Sequence, residues 1–233
     1  MKILILFSFI SFMCEGQLMA KSTLKKYRQR RALKRSSKHE PYGAVKREPS
    51  WPKALAGKKS EKRMFVVQWH DASHLHYDLR LEIDGVLKSW AVPKGVPGKQ
   101  GIRRLAIATD DHPMEYGHFE GIIPEGYGKG TVMVWDIGTF ENIKKENGKL
   151  VPLSDCYEHG TLEFFLRGKK LWGPYALVKT KGLTTKESWI LLRMKAQKAL
   201  ADKRKNKAVP KNVSALTKRT MKKIATDRDA EWD

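Results

Sequence analysis

The residues able to do chemistry are concentrated in one short stretch, Gln68 to Glu82. Within it His76 and Asp78 lie two positions apart, and side chains at i and i+2 of an extended strand stand on the same side. His70 has the same parity and precedes a turn at Asp71–His74, so it can fold back toward them as a third ligand. Two imidazoles and one carboxylate suit a divalent transition ion such as Mn2+, Zn2+ or Fe2+, with positions left open for water and substrate. Arg80 falls on the same side, where its planar fork would hold a phosphate oxygen. The plain alternative is a solvated polar strand face, common in antiparallel sheets. Two histidines, an aspartate and an arginine in one register are an uncommon way to build one, so the stretch is read as a metal and phosphate site.

A second cluster comprises Arg103 and Arg104, then Asp110, Asp111, His112, Pro113, Met114, Glu115 and Tyr116, placed in a loop after a strand. His112 would serve there as a general acid or phosphate clamp, and Tyr116 would supply a hydroxyl. Alone this is a weak signal, because a histidine beside a proline in an acidic loop is more often a turn residue. Gly121–Gly130, with Pro124, Gly126 and Gly128, either cradles phosphate through backbone amides or only shapes a turn. It lacks the lysine and serine or threonine of a P-loop.

The elements that must position these residues read as strands. Phe65–Trp69 is one, and Leu75 to Glu82 alternates, with Leu75, Tyr77, Leu79 and Leu81 on a core face. Gly85 marks a hairpin turn and Val86–Val92 the returning strand, stopped by Pro93. Further strands read at Arg104–Thr109, Gly130–Trp135, Thr161–Leu166, Tyr175–Lys179 and Trp189–Met194. So many short strands, with no long amphipathic helix among them, predict a mainly β fold. The expected form is a compact antiparallel β-barrel with short flanking helices and basic disordered flanks. The expected division is a leader-like or over-extended start at 1–18, a basic arm at 19–62, the barrel at 63–195, and a basic linker with a C-terminal helix at 196–233. Residues 195–207 read as a helical linker, and Ser214 to Trp232 as a final helix capped near Thr217 or Thr220.

The formal net charge is +21 over 233 residues, and its placement is informative. Lys and Arg number 17 against 4 Asp and Glu in residues 1–63, 17 against 16 in 64–194, and 12 against 5 in 195–233. The centre is nearly neutral and the flanks are polycationic, which favours a polyanion as partner and makes binding salt-dependent. Two cysteines, Cys14 and Cys156, exclude a disulfide framework and fit a reducing compartment. The apolar run Ile3–Met13 after Lys2 is too short to span a membrane. It reads either as a secretory leader or, because Met19 opens an ordinary cytoplasmic start, as an over-extended beginning.

These segments, in this order, resemble the 3′-phosphoesterase domain of bacterial ATP-dependent DNA ligase D. The resemblance rests on Gln68–Glu82, Asp84–Gly95, Asp111–Tyr116, Phe119–Gly121, Ile123-Pro124, Tyr127-Gly128 and Val134–Asp136. It continues through Leu171–Leu177 and Trp189–Arg193, and reappears in Thr217–Trp232, which is similar to the family's C-terminal extension. It implies a β-barrel in which His70, His76 and Asp78 hold a divalent metal, usually manganese, with Zn2+ or Co2+ as substitutes. It implies phosphate contacts from Arg80 and His112, with Lys94, Arg104 and Tyr116 completing the catalytic pocket. Arg31 would join Arg80, Lys94 and Arg104 in binding substrate. The implied reactions are removal of a terminal ribonucleoside from a 3′ end and hydrolysis of a 3′-phosphate to a hydroxyl, as in the repair of double-strand breaks by non-homologous end joining.

The chain departs from the family in its arm. An Arg-Asp-Phe run after a Tyr is usual there, whereas Tyr27 is followed by Arg31, Ala32 and Leu33, so Ala32 replaces the acidic residue. Glu40 stands two positions late for the family's nearby glutamate, and His74 replaces a common arginine. The expected partners are DNA or RNA-tipped DNA 3′ ends, with Ku and a separate ATP-dependent DNA ligase completing repair. A monomer without membrane attachment is expected, cytoplasmic and nucleoid-associated, with the apolar first residues the one argument for export. Two other readings compete: a non-catalytic DNA-end-binding accessory module, and a metal-dependent oxygenase or cupin-like enzyme, since two histidines and a carboxylate also make an iron facial triad. All three ligands are present, which disfavours the first, and Arg80 with the basic flanks disfavours the second.

Overall fold

Asp84 and Gly85 both adopt positive φ, 52° and 77°, the backbone of a two-residue turn whose twist matches the strands it joins. Ile83 pairs with Val86 directly across it. This hairpin is seen in a computed structural model that describes residues 63–126, 128–195 and 210–232. The segments 1–18 and 19–62, with Arg31, Ala32 and Glu40, lie outside the described residues, as do Tyr127 and the linker 196–209.

The strands are β1 (Arg63–Asp71), β2 (Leu75–Ile83), β3 (Val86–Val92), β4 (Arg103–His112), β5 (Gly121–Ile123), β6 (Gly130–Asn142), β7 (Lys145–Glu146), β8 (Lys149–Leu150), β9 (Thr161–Gly168), β10 (Trp172–Thr180) and β11 (Ser188–Arg193). Eight of them form a closed antiparallel barrel in the order β1-β2-β3-β4-β11-β10-β9-β6, sealed by pairing of β6 back onto β1. Two short helices accompany it, α1 (Leu153–Glu158) and α2 (Met221–Asp227). The expected β-barrel with short helices is therefore the fold. None of the described helices is long and apolar enough to cross a membrane.

The barrel interior is sealed by large side chains. Phe65 and Val67 of β1, Leu79 and Leu81 of β2, and Trp90 of β3 are essentially fully buried in one cluster. Trp90 and Trp189 meet edge to face at 5.6 Å, a geometry that adds about 0.5–1.5 kcal/mol beyond the area buried. Leu75, expected on the core face, is instead half exposed, because it lies at the very tip where β1 turns into β2.

The outer wall formed by β1, β2 and β6 is also covered. One cover is the segment from Pro113 to Ile123, which includes a 3-10 turn at Met114–His118. The other is 214–232. Ala215 packs with Val66, Val134 and Ile137, while Ala230 and Trp232 pack on Tyr116, Phe119, Ile123 and Val132. The helix expected over Ser214–Trp232 is confined to Met221–Asp227, with Thr220 as its N-cap accepting from the Lys223 amide. Residues Ala230 and Trp232 are instead tied to β5 through the Ile122 amide and carbonyl. Gly121 permits that approach, since a side chain there would collide with the Ala230 carbonyl.

Asp136 ties the opposite side of the wall together. Its buried carboxylate accepts from the amides of Ile137 (2.9 Å), Lys170 (2.8 Å) and Leu171 (2.7 Å), pinning the β9–β10 turn to β6. Burial pushes its pKa up and the amide donors pull it back. Replacing it with alanine leaves buried amides without acceptors, each worth roughly 1–3 kcal/mol. Asp136→Ala should lower stability by at least about 2 kcal/mol, read as a shift of the urea midpoint. A midpoint equal to that of the native protein would refute the anchoring role.

Candidate metal centre

The hairpin of β1 and β2 sets the ligand geometry. His70 and His76 are direct cross-strand partners, and Asp78 faces Gln68 two residues along the ladder. Paired positions share a face of the sheet, so these four side chains and Arg80 all stand on the outer wall of the barrel. The expectation from the alternation of residues 70–80 is met in register. The face is buried rather than solvated, because the segments 113–123 and 214–232 cover it: Gln68 is 0% exposed, Arg80 2%, His70 5% and Asp78 7%.

One ligand atom each from His70, His76 and Asp78 lies within 4.8 Å of the others. His70 Nδ1 is 3.7 Å from Asp78 Oδ2, and His76 Nε2 is 3.5 Å from Asp78 Oδ1. Ligands at roughly 2.0–2.2 Å from a shared ion stand about 3–4 Å apart, so the residues fit a divalent cation. The backbone fixes which nitrogens are offered. His70 Nε2 lies 2.9 Å from the Gly128 carbonyl, and His76 Nδ1 lies 2.8 Å from the His74 carbonyl. A carbonyl only accepts, so those nitrogens carry the protons, leaving His70 Nδ1 and His76 Nε2 as the ligand atoms. The glycine-rich run thus contributes a carbonyl that orients an imidazole, where its sequence suggests amides for phosphate or a simple turn.

Arg80 lies beneath the triad, fully engaged by its neighbours. Its Nε donates to Gln68 Oε1 (2.6 Å), Nη1 to Ser89 Oγ (2.8 Å) and Nη2 to Asp78 Oδ2 (3.0 Å). The guanidinium also stacks over the Tyr116 ring at 4.7 Å. Burial alone would push the Asp78 carboxyl up, but the Arg80 charge beside it, reinforced by both imidazoles, holds it well below the usual carboxylate range. The carboxylate is therefore ionised and ready to ligate at neutral pH.

His112, expected in a loop, ends strand β4 instead. A bulge inserts one residue of β4 between the Leu87–His112 and Ser89–Thr109 pairs. That extra residue reverses the parity of the strand's end. His112 consequently joins Ser89 and Arg80 on the outer wall, while Asp111 turns away to pair with Lys88 at 2.8 Å. His112 Nδ1 lies 2.7 Å from the Asp110 carbonyl and 2.9 Å from Arg80 Nη1. Protonated, it donates to the carbonyl; deprotonated, it accepts from the guanidinium. Either neutral tautomer has a partner.

Tyr116 is buried, its ring 4.7 Å from that of His112. Lys94 is exposed in the turn after β3, at the same end of the wall as His76, because Val92 pairs with Tyr77. Arg104 pairs with Leu191 and shares the inward face of Ala106, opposite the face carrying the triad. Neither Lys94 nor Arg104 bonds to the triad. Gln68, which has no role in the sequence reading, holds the cover by donating to the Tyr116 and Phe119 carbonyls at 3.0 and 2.9 Å. Ser89 and Glu120 fall within the segments that carry the resemblance but likewise have no role of their own in the sequence reading. Their parity with Arg80 and the aromatic run beside Glu120 are the signals that could have found them.

Comparison with known proteins adds the ancestry of this arrangement. The sequence profile described as the DNA Ligase D 3′-phosphoesterase domain matches residues 68–179. The chain is 42% identical over 161 residues, 67% of its length, to the Multifunctional non-homologous end joining protein LigD of Pseudomonas aeruginosa, covering 18% of that protein. It is 47% identical over 135 residues to the Mycolicibacterium smegmatis protein of the same name, covering 58% of this chain and 17% of that one. Against the Mycobacterium tuberculosis Multifunctional non-homologous end joining DNA repair protein LigD it is 45% identical over 135 residues, 58% of this chain and 16% of that one. The chain therefore spans less than a fifth of the length of these curated relatives. Through its barrel, this chain belongs to the DNA ligase D 3′-phosphoesterase domain family.

Proposed function

We propose that this chain is a metal-dependent 3′-phosphoesterase acting on DNA ends. It would remove 3′-phosphates and 3′-terminal ribonucleosides during non-homologous end joining. The observation that carries the reading is the convergence of His70, His76 and Asp78 beside a guanidinium and a second imidazole on one wall. A divalent cation held by the three ligands supplies Lewis-acid charge at a phosphoryl oxygen. Mn2+ is the ion we favour, with Zn2+ or Co2+ able to substitute.

The chain's own residues supply the rest. Arg80 keeps Asp78 ionised and presents its positive charge beneath the phosphate position, where it stabilises charge that develops on the phosphoryl oxygens. His112, held at Nδ1 in either tautomer, exchanges a proton with the leaving or attacking oxygen through Nε2. Tyr116 walls the pocket behind the His112 ring. Lys94 and Arg31 are assigned to the nucleic-acid strand beside the terminal phosphate, a role that the inward-facing Arg104 is not placed to share. The concentration of positive charge in 1–63 and 195–233 supports a polyanionic substrate. Ku and a separate ATP-dependent ligase are the proposed partners in repair, with the protein acting as a monomer.

The ligand assignment is tested by metal titration. His76→Ala should reduce Mn2+ affinity by at least about 100-fold, since losing even a hydrogen-bond partner of a ligand costs about 10–100-fold, with the circular dichroism spectrum unchanged. Near-normal Mn2+ binding by that variant would remove His76 from the ligand set.

The reaction is tested on a 5′-labelled primer–template ending in a 3′-phosphate or in one ribonucleotide, with Mn2+ and with chelator. Conversion of the phosphate end to a hydroxyl, abolished by chelator, is expected. Ribonucleoside removal should be slower, because Ala32 replaces the arm's carboxylate, and Ala32→Asp should raise that rate selectively. Binding of the ends with no conversion of either would favour the accessory-module reading. Equal rates on both ends, unchanged by Ala32→Asp and by Glu40→Ala, would refute the role given to the missing carboxylate.

A further inference from the structure

Glu120 is a buried carboxylate that the proposed chemistry does not use. It accepts from Ser214 Oγ at 2.6 Å, from the Thr217 hydroxyl and from Arg219 Nη2 at 3.1 Å. On the barrel side it also accepts from the Val134 amide at 3.3 Å. Arg219 reaches on to Asp227 and Asp229, at 3.2 and 2.8 Å, so one guanidinium binds the start and the end of the 214–229 segment. A carboxylate buried among this many donors is an anchor, because breaking any one contact strands charge away from water.

Beyond the anchor, the chain runs along β5. The Ile122 amide donates to the Ala230 carbonyl (2.9 Å), and the Trp232 amide donates to the Ile122 carbonyl (3.0 Å). Trp232 is thereby delivered onto two aromatic rings of the 3-10 turn and its exit. Its ring meets Tyr116 edge to face at 4.9 Å and Phe119 at 5.4 Å. Tyr116 in turn contacts His112 and the Arg80 guanidinium, each at 4.7 Å.

We propose that Trp232 is a positioning residue of the candidate site: clamped by the 214–232 segment, it presses Tyr116 against His112 and Arg80 and so fixes the phosphate-facing wall. The proposal deepens the phosphoesterase reading and, for its kinetic part, rests on it. The triad itself belongs to the β1–β2 hairpin and Gly128, whereas the ring contacts of Trp232 are made to Tyr116 and Phe119. Metal binding and wall positioning are thus separable.

Trp232→Ala in the full chain tests this. Amide exchange over residues 114–119 should quicken, while β1 and β2 remain as protected as before. Mn2+ affinity should hold, and kcat on a 3′-phosphate end should fall roughly 10- to 100-fold with little change in KM, the scale of a misplaced group near reacting atoms. Trp232→Phe, which keeps a ring on Tyr116 and Phe119, should restore most of the rate. Arg219→Ala loosens the anchor without touching the aromatic cluster and should give the same pattern in milder form, which decides the matter if Trp232→Ala fails to fold. Unchanged exchange at 114–119, unchanged kcat, or loss of Mn2+ binding in step with kcat would overturn the clamp. If the native protein releases no phosphate from any 3′ end, the phosphoesterase reading falls, and the exchange comparison alone decides the clamp.

Discussion

A guanidinium buried to 2% exposure on the outer wall of a β-barrel is the constraint around which the site is arranged. An isolated buried charge is prohibitively costly, so Arg80 requires a partner on every side. Gln68 of β1, Asp78 of β2, Ser89 of β3 and His112 of β4 supply polar atoms, and Tyr116 supplies a ring face. Four adjacent strands are thus cross-linked through one side chain, and truncating a partner of such a buried charge typically costs about 3–5 kcal/mol. The same contacts ionise Asp78 and orient His112. Stability and ligand readiness come from a single arrangement.

The cover follows from that charge. A polar wall buried against water needs apolar material over it, and the barrel's own strands are committed to the interior. The 3-10 turn and the 214–232 segment provide it, bringing Tyr116, Phe119, Ala215 and Trp232 to the outside of β1 and β6. The β1 strand is consequently buried on both faces, from Met64 to Gln68.

Much of this is legible in the sequence. The two-residue turn at Asp84-Gly85 and the alternation through β2 are local signals, and they suffice to put His76, Asp78 and Arg80 on one face. His70 follows from parity across the hairpin. What stays hidden depends on partners distant in the chain. The bulge beside Leu87 and Ser89 extends β4 to His112, where the sequence reads as an acidic loop with a proline, because a bulge reverses parity without a local signature. Nothing in Leu153–Glu158 has the length to announce a helix, so α1 emerges only in the fold. The alternating polar face resembles a solvated one because its cover comes from residues 113–123 and 214–232. The final helix is shorter than its sequence suggests because the last residues bond to β5, and tertiary pairing overrides propensity there.

The ligands His70, His76 and Asp78 are confined to nine consecutive residues of one hairpin. The entropy lost in gathering them is therefore that of closing a very short loop. Barrel closure, by contrast, must join partners as remote as His70 and Val132, and such non-local pairing is the slow part of a β topology. Gathering of the ligand set and completion of the barrel are accordingly separable steps in folding. A hairpin that has only just formed already carries the whole ligand set, and later closure against β6 brings the Gly128 carbonyl that locks the His70 tautomer. A bound cation would hold the β1–β2 register while the rest of the chain is still searching, acting as a template for the strand order that follows.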